Sequence, residues 1–148
     1  MSGLGWEEFT VGRQWRSAER VVAAEDLERF SELSGDRNPL HLDDAYARAA
    51  GYEGRIAQGV LGTAVATGLV NRLGLTAGTL IGLLEVRWRF ERPLYPATAV
   101  HAELTVKSAR PTRRGDRGIV VLEVLLADGA GQVYQRGELT MLVRAAGR

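Results

Sequence analysis

The chain has 148 residues, 45% of them hydrophobic and 25% charged, a balance that indicates one compact domain, residues 1–148, and argues against a disordered segment. Its 19 Lys and Arg residues against 18 Asp and Glu residues give a net charge of +1, so no general basic field would recruit nucleic acid or an acidic membrane. The choice of partner must therefore come from a local site. The absence of cysteine excludes a disulfide framework and a thiolate nucleophile.

The opening segment, through about Val22, is expected to be irregular or strand-like. Its start, "MSGLGWEEFTVGRQW", has Glu and Trp where a secretory signal needs a basic start and an apolar core. No stretch of the sequence approaches the roughly 18 consecutive apolar residues of a membrane-spanning helix. We therefore expect a cytoplasmic protein whose partner is neither a membrane nor a nucleic acid.

Two helices separated by a turn are predicted next. In "AAEDLERFSELSG" the apolar residues recur at helical spacing, and Gly35 stands where a C-terminal cap belongs. The Asn-Pro pair in "SGDRNPLH" favours a turn over residues 36–42, because proline restricts the residue before it. A short helix, "DDAYARAAG", then ends at Gly51.

A long apolar helix is predicted within residues 58–75. The segment "QGVLGTAVATGLVNRLGL" carries large apolar side chains on overlapping helical stripes, with Gly and Ala filling most of the remainder. Such a helix is apolar nearly all round and is expected to be wrapped by other elements. Its small residues allow a sheet to approach closely.

The second half of the chain changes to a period of two. "LLEVRWRFERP" alternates Val86, Trp88 and Phe90 with charged residues, which is typical of a strand with one buried face. "AVHAELTVKS" repeats the alternation with its apolar residues inward and His101 on the exposed side. "GIVVLEVLLADGAGQVYQRGELTMLVR" predicts two more strands around a turn at residues 128–131.

The order of these elements predicts the fold class. Helices followed by at least four antiparallel strands indicate an α+β domain in which one long apolar helix lies across an antiparallel sheet. The segment "IVVLEVLL" is apolar on both faces, so its second face is expected to be covered, which favours a dimer.

One short loop carries both candidates for acid/base chemistry. Asp36 and His41 are five residues apart, so their side chains can converge on one small molecule. Histidine has an ordinary pKa of about 6.5 and exchanges a proton near neutral pH, while a neighbouring carboxylate can orient its ring. Taken singly, Asp36 is explained by a turn in which it bonds its own backbone, and His41 by packing under the loop.

Gly59 supplies a third group, because it stands at the start of the long helix. The first N–H groups of a helix have no intrahelical acceptor, and glycine lets a carbonyl oxygen approach closely. An acid/base pair with such an oxyanion donor suits a reaction through an enolate. Addition of water across a double bond conjugated to a thioester, or the reverse elimination, is a reaction of this kind, and it needs neither a nucleophilic side chain nor a metal.

These residues lie in a recognisable pattern. "FSELSGDRNPLHLDDAYA" followed by "GRIAQGVL" resembles the hydratase 2 signature of the MaoC-like (R)-specific enoyl-CoA hydratases and dehydratases, which have the hotdog fold. The resemblance spans nearly the whole chain. It implies reversible hydration of a trans-2-enoyl thioester to the (R)-3-hydroxyacyl thioester, with no bound cofactor, with CoA or an acyl carrier protein as the substrate's carrier, and with a homodimer as the assembly.

The resemblance also implies roles for individual residues. Asp36 and His41 would bind and activate the water, Asn38 would help to hold the loop, and the backbone N–H of Gly59 would bind the thioester carbonyl. Gln58 stands where the family commonly has His, and "YPATAV" stands where Pro-Gly-Asp is frequent. These departures leave the shape of the pocket and the substrate open.

Gln58 and Tyr52 complete the predicted substrate-binding set, although core packing explains Tyr52 equally well. Two other functions stay open: an acyl thioester hydrolase on the same fold, and a non-catalytic acyl-CoA-binding subunit. The basic run "ARPTRRGDRG" is predicted to be a solvated hairpin, with contact to CoA phosphates or an acidic carrier protein as the less favoured alternative.

Overall fold

Helices precede a run of long strands along the chain, as the hydrophobic periods predict. The structure is a computed structural model that describes residues 2–147. After a 3-10 turn at Trp6–Glu8 come the short strands β1 (Gln14–Arg16) and β2 (Arg20–Val22). The helices are α1 (Ala24–Ser34), α2 (Pro39–Leu42), α3 (Asp44–Ala49) and α4 (Gly59–Arg72). The long strands are β3 (Leu80–Phe90), β4 (Thr98–Pro111), β5 (Arg117–Ala127) and β6 (Val133–Arg144).

The strands pair in an antiparallel manner, which confirms the predicted α+β class. Their order is β1-β4-β5-β6-β3, and β2 also pairs with β4. The strands β4, β5 and β6 follow one another through hairpins, with the predicted turn after Asp128. β3 precedes them in sequence but lies outside β6, so Phe90 pairs with Gln135 at the end of the sheet.

The core lies between α4 and the sheet. α4 packs on β4 and β5, and its inner face buries Leu61, Val65 and Leu69. The four residues of β4 that were predicted to point inward are each at most 1% exposed: Val100, Ala102, Leu104 and Val106. Removal of this apolar surface from water, at about 25 cal/mol per Å², is what holds the helix on the sheet.

The outer face of α4 is open in the single chain, contrary to the expectation that the helix is wrapped all round. Val60 is 61% exposed, and Ala64 and Gly68, four and eight residues later, are exposed as well. These three residues lie on one stripe of the helix. The sheet of one chain covers only the opposite side, so the all-round apolar pattern finds no complete cover within the chain.

The strand β3 also differs from its prediction. Val86 and Phe90 were expected on a buried face, yet they are 42% and 53% exposed, and only Trp88 packs partly against the core. The reason is position, because β3 is an edge strand and no other strand within residues 2–147 pairs with its outer side. Its exposed large apolar residues are Leu80, Leu83, Leu84, Val86 and Phe90.

The segment between α1 and α3 is more helical than predicted. Gly35, with φ of 79°, ends α1 in the left-handed conformation expected of a C-terminal cap. The chain then makes the predicted turn only as far as Asn38. Pro39 begins the single helical turn α2, because a proline at the first helical position loses no helix hydrogen bond.

The outer face of β4 holds a second difference. His101 was expected at the surface, but it is 2% exposed. The chain after β1 continues along the edge of β4, where Ser17 N donates to Ala102 O and Ala102 N donates to Ser17 Oγ. Arg16 Nη2 lies 3.5 Å from His101 Nδ1, and Glu103 lies 3.7 Å from Nε2. The prediction was wrong because the alternation along β4 cannot show that Arg16, at the end of β1, lies against the His101 ring.

The basic run forms the predicted hairpin between β4 and β5, and Arg113 and Arg114 at its tip are exposed. Arg117 donates two hydrogen bonds of 2.8 Å to the Asp116 carboxylate, which lowers the pKa of Asp116 to about 2. No helix within residues 2–147 is long and apolar enough to cross a membrane.

Candidate active site

Local hydrogen bonds fix the conformation of the loop after α1, which contains Asp36. Asp36 Oδ1 accepts from Asn38 N at 3.2 Å, and Asn38 Oδ1 accepts from Leu40 N at 3.0 Å, which caps α2. Asn38 therefore holds the loop, the role that its motif position implies. Because Asp36 uses one oxygen for the loop, its other oxygen is free to face His41.

His41 is held from the opposite side. Its Nδ1 lies 2.8 Å from Ile56 O, and a carbonyl oxygen only accepts hydrogen bonds, so Nδ1 carries the proton. The other nitrogen, Nε2, lies 3.7 Å from Asp36 Oδ2. The imidazole is 12% exposed and the carboxylate 47% exposed. This arrangement fixes the ring and leaves Nε2 as the atom that can take a proton.

The same segment joins the loop to the long helix. Ile56 N donates to Leu40 O at 3.0 Å, and Ala57 N donates to Leu94 O at 2.7 Å. Residues 56 and 57 are thus bonded to the loop on one side and to the chain after β3 on the other. Two residues later α4 begins, so His41 stands next to the first turn of that helix.

Gly59 is the first residue of α4. Its N–H belongs to the first turn, where helix geometry provides no acceptor four residues earlier. A Cβ at this position would lie 2.9 Å from Phe90 Cε1 and 3.0 Å from Cδ1. Glycine therefore leaves room for the ring of Phe90, and the absence of a Cβ allows a small carbonyl group to approach the backbone closely.

His41 and Gly59 line one cavity of about 340 Å³, which is the juxtaposition that the motif spacing predicts. Tyr52 and Phe90 also line it. The wall also has apolar residues, Ile56, Ala57, Pro93 and Leu94, and two charged ones, Glu91 and Arg92. Asp36 is not among the lining residues and is reached through its contact with His41 Nε2. The site thus combines an imidazole, a helix N-terminal amide and a partly apolar wall, with the Asp36 carboxylate at its edge.

Gln58 does not lie where its prediction placed it. The side chain is 1% exposed and points away from the cavity. Its Nε2 donates to Leu27 O at 3.0 Å and to Ser31 Oγ at 2.9 Å. Gln58 thus ties the start of α4 to α1 rather than touching a substrate. Its neighbour in the motif, Gly59, takes the wall position alone.

Gln135 and Phe90 are wall residues that the sequence analysis missed as site residues. Gln135 is 2% exposed and its Nε2 donates to Gly59 O at 3.1 Å. A signal was present in the sequence, because Gln135 shares the inward register of β6 with the buried Leu139 and Met141. A polar residue on an apolar face needs a partner there.

The arrangement supports proton transfer at a substrate held by its carbonyl oxygen. The Nε2 atom of His41 can exchange a proton, and the amide of Gly59 can stabilise a negative oxygen. Within residues 2–147 no group of three or more His, Asp or Glu side chains is placed to hold a metal ion.

The chain is similar to known proteins along most of its length. Residues 8–127 match the family described as MaoC like domain. The (R)-specific enoyl-CoA hydratase of Aeromonas caviae is 30% identical over 132 residues, which cover 89% of this chain and 93% of that protein.

Solved structures show the same fold. The MaoC-like dehydratase from Rhodospirillum rubrum superposes with a TM-score of 0.88 at 29% identity, covering 99% of this chain and 100% of that one. A Mycobacterium tuberculosis protein with a double hotdog fold superposes with a TM-score of 0.84 at 18% identity, covering 98% of this chain and 45% of that one. The α+β architecture described above is therefore a hotdog fold.

The neutral form of His41 is expected to carry its proton on Nδ1, because Ile56 O can only accept. Two-bond proton–nitrogen NMR spectra of the labelled protein distinguish the two tautomers by their ring nitrogen shifts. A His101→Gln variant removes the other imidazole and assigns the remaining signals. A neutral ring protonated on Nε2 would contradict the hydrogen bond to Ile56.

Proposed function

This chain belongs to the MaoC-like domain family, and from that premise we propose that it reversibly hydrates a trans-2-enoyl thioester to the (R)-3-hydroxyacyl thioester. The observation that carries the proposal is the shared cavity of His41 and Gly59, with Asp36 Oδ2 3.7 Å from His41 Nε2. The thioester's carrier is CoA or an acyl carrier protein, and the cavity takes the reacting end of the molecule.

The 3.7 Å between Asp36 Oδ2 and His41 Nε2 suits a shared water. The distance is too long for a direct hydrogen bond between the two atoms. Both atoms can instead contact one oxygen at about 2.8 Å, an ordinary hydrogen-bond length. A water in that position is polarised by a carboxylate and a neutral imidazole together, and its proton has an acceptor in Nε2.

Hydration then proceeds with a closed proton balance. The water oxygen forms a bond to C3 of the enoyl group while its proton passes to His41 Nε2. The electron pair of the double bond moves to the carbonyl oxygen, and the Asp36 carboxylate stabilises the imidazolium. Return of the proton to C2 restores the carbonyl and the neutral ring. Dehydration is the same sequence in reverse.

The enolate oxygen receives its stabilisation from Gly59. Its amide lies at the N-terminus of α4, a helix of 14 residues, where the helix dipole favours negative charge. Because charge on this oxygen grows only as the reaction proceeds, a fixed donor there stabilises the transition state more than the bound substrate.

We also propose that the protein is a homodimer that uses β3 and the open stripe of α4. β3 is an edge strand with exposed apolar residues, among them Leu84 at 54%. An unpaired, apolar edge favours association with another strand. Phe90 belongs to this surface and also forms part of the cavity wall, so the second chain would also cover the site.

Asp36→Asn and His41→Gln are each expected to lower kcat/KM for crotonyl-CoA by about 10²- to 10⁴-fold, the usual effect of removing an acid/base group. Loss of the conjugated enoyl absorbance measures the rate, and chiral analysis identifies the (R)-3-hydroxyacyl product. His101→Gln is the matched control, because it removes the chain's other imidazole outside the cavity, and it should retain turnover.

If Asp36→Asn and His41→Gln each retain wild-type turnover, the mechanism is contradicted. Release of free thiol without a hydroxyacyl product would instead support the hydrolase alternative. Binding of acyl-CoA without turnover at any chain length would support the non-catalytic subunit.

Leu84→Glu is expected to convert the dimer to a monomer, because it places a charge on the apolar edge. Light scattering at micromolar concentration gives the mass directly. Leu33→Glu, at a residue of α1 that is 85% exposed, makes the same change elsewhere and should leave the mass unaltered. A monodisperse wild-type monomer would overturn the proposed assembly.

A further inference from the structure

We propose that Gln135 is a positioning residue that sets the direction of the Gly59 amide from the sheet side. The inference rests on the proposed function, since that function makes Gly59 the oxyanion donor. Gln135 lies at the start of β6, more than 70 residues from Gly59 in sequence, and it is 2% exposed. It is a buried polar side chain on the cavity wall, and no step of the proposed mechanism uses it.

The hydrogen bonds of Gln135 define which way its amide points. Trp88 Nε1 lies 2.8 Å from Gln135 Oε1, and an indole nitrogen only donates, so the atom facing it must be the oxygen. The other end, Nε2, therefore faces Gly59 O at 3.1 Å, and that carbonyl only accepts. Thr63 Oγ1 lies 3.5 Å from Oε1. The orientation follows from the partners alone, without reference to the reaction.

The first turn of α4 is built around this side chain. A Cβ on Gly62 would lie 2.1 Å from Gln135 Nε2 and 2.7 Å from Cδ. The amide thus occupies the space that any other residue at position 62 would fill. On another side, the ring of Phe90 excludes a Cβ from Gly59. The sheet therefore clamps the turn from two adjacent strands, β3 and β6.

Two peptide groups flank the Gly59 Cα, and Gln135 bonds one of them directly. The carbonyl held by Gln135 belongs to one of them, and the proposed oxyanion donor belongs to the other. Glycine restricts rotation between the two groups less than any other residue, and the first turn of a helix frays readily. A hydrogen bond from the sheet to the Gly59 carbonyl removes this freedom and directs the N–H into the cavity.

A misdirected amide should harm the transition state more than substrate binding. Loss of an oxyanion donor lowers kcat by about 10²- to 10³-fold, so imprecise placement of a donor that is still present should cost less. We expect Gln135→Met, which keeps the side chain's length but makes no amide hydrogen bonds, to lower kcat by about 10- to 100-fold. Its KM should stay within about threefold of wild type, because the change spares uniform binding.

The pH dependence of activity in Gln135→Glu distinguishes a positioning role from a merely structural one. A protonated glutamic acid has the shape of glutamine, can donate to Gly59 O and can accept from Trp88. Its carboxylate form repels the carbonyl. Burial raises the pKa of a glutamic acid, in documented cases to about 8–9. Relative to wild type at the same pH, this variant should therefore keep most of its activity below that pKa and lose it as the pH rises through that pKa.

Val143→Ala is the matched stability control. Val143 lies at the other end of β6 and is 0% exposed, so its truncation weakens the same strand without touching the cavity. Both variants are compared with wild type in kcat, KM and melting temperature. The Gly59 amide signal in NMR spectra without substrate should shift or broaden in Gln135→Met and not in Val143→Ala, which measures positioning independently of turnover.

The outcomes separate the two proposals. Suppose that the wild type is active and that Gln135→Met keeps the wild-type kcat and an unchanged Gly59 amide signal. This result would overturn the role of Gln135 and leave the hydratase proposal intact. Equal losses of kcat in Gln135→Met and Val143→Ala would also overturn it. A wild type inert towards enoyl thioesters would overturn the proposed function, and with it the inference that depends on it.

Discussion

Two hydrogen bonds between the loop at residues 36–42 and the segment before α4 determine where the site forms. Ile56 N donates to Leu40 O at 3.0 Å, and the His41 ring donates to Ile56 O at 2.8 Å. Without them the loop would be a surface turn with few constraints beyond its own short contacts. Because the loop is hydrogen-bonded to Ile56, it lies beside the start of α4. The proposed chemistry depends on that junction, because an acid/base group and an oxyanion donor must reach one substrate.

Buried glutamine side chains extend the same constraint to the rest of the fold. Gln58 ties the start of α4 to α1, the helix that leads into Asp36, and Gln135 ties it to β6. A buried polar group is costly unless it is bonded, so the NH₂ group of Gln58 and the amide of Gln135 each favour one arrangement over many loose ones. The apolar face of α4 supplies most of the stability, whereas these polar contacts define the position of its first turn.

Much of this could be predicted from local sequence. The periods of 3.6 and two located α4 and the long strands, and the spacing of Asp36, His41 and Gly59 brought the candidates together. Strand order could not be predicted from these periods. Phe90 was therefore expected to be buried, whereas it is exposed because β3 lies outside β6. The burial of His101 and of the Gln58 side chain likewise depends on contacts with residues distant in sequence, which the hydrophobic periods cannot show.

A crystal structure of the protein equilibrated with crotonyl-CoA tests the central claim most directly. The thioester carbonyl oxygen is expected to lie about 3 Å from Gly59 N. The hydroxyl oxygen on C3 of the hydrated product is expected to contact both His41 Nε2 and Asp36 Oδ2. A ligand whose thioester lies outside the cavity of His41 and Gly59, or whose carbonyl is bound by another group, would contradict that claim.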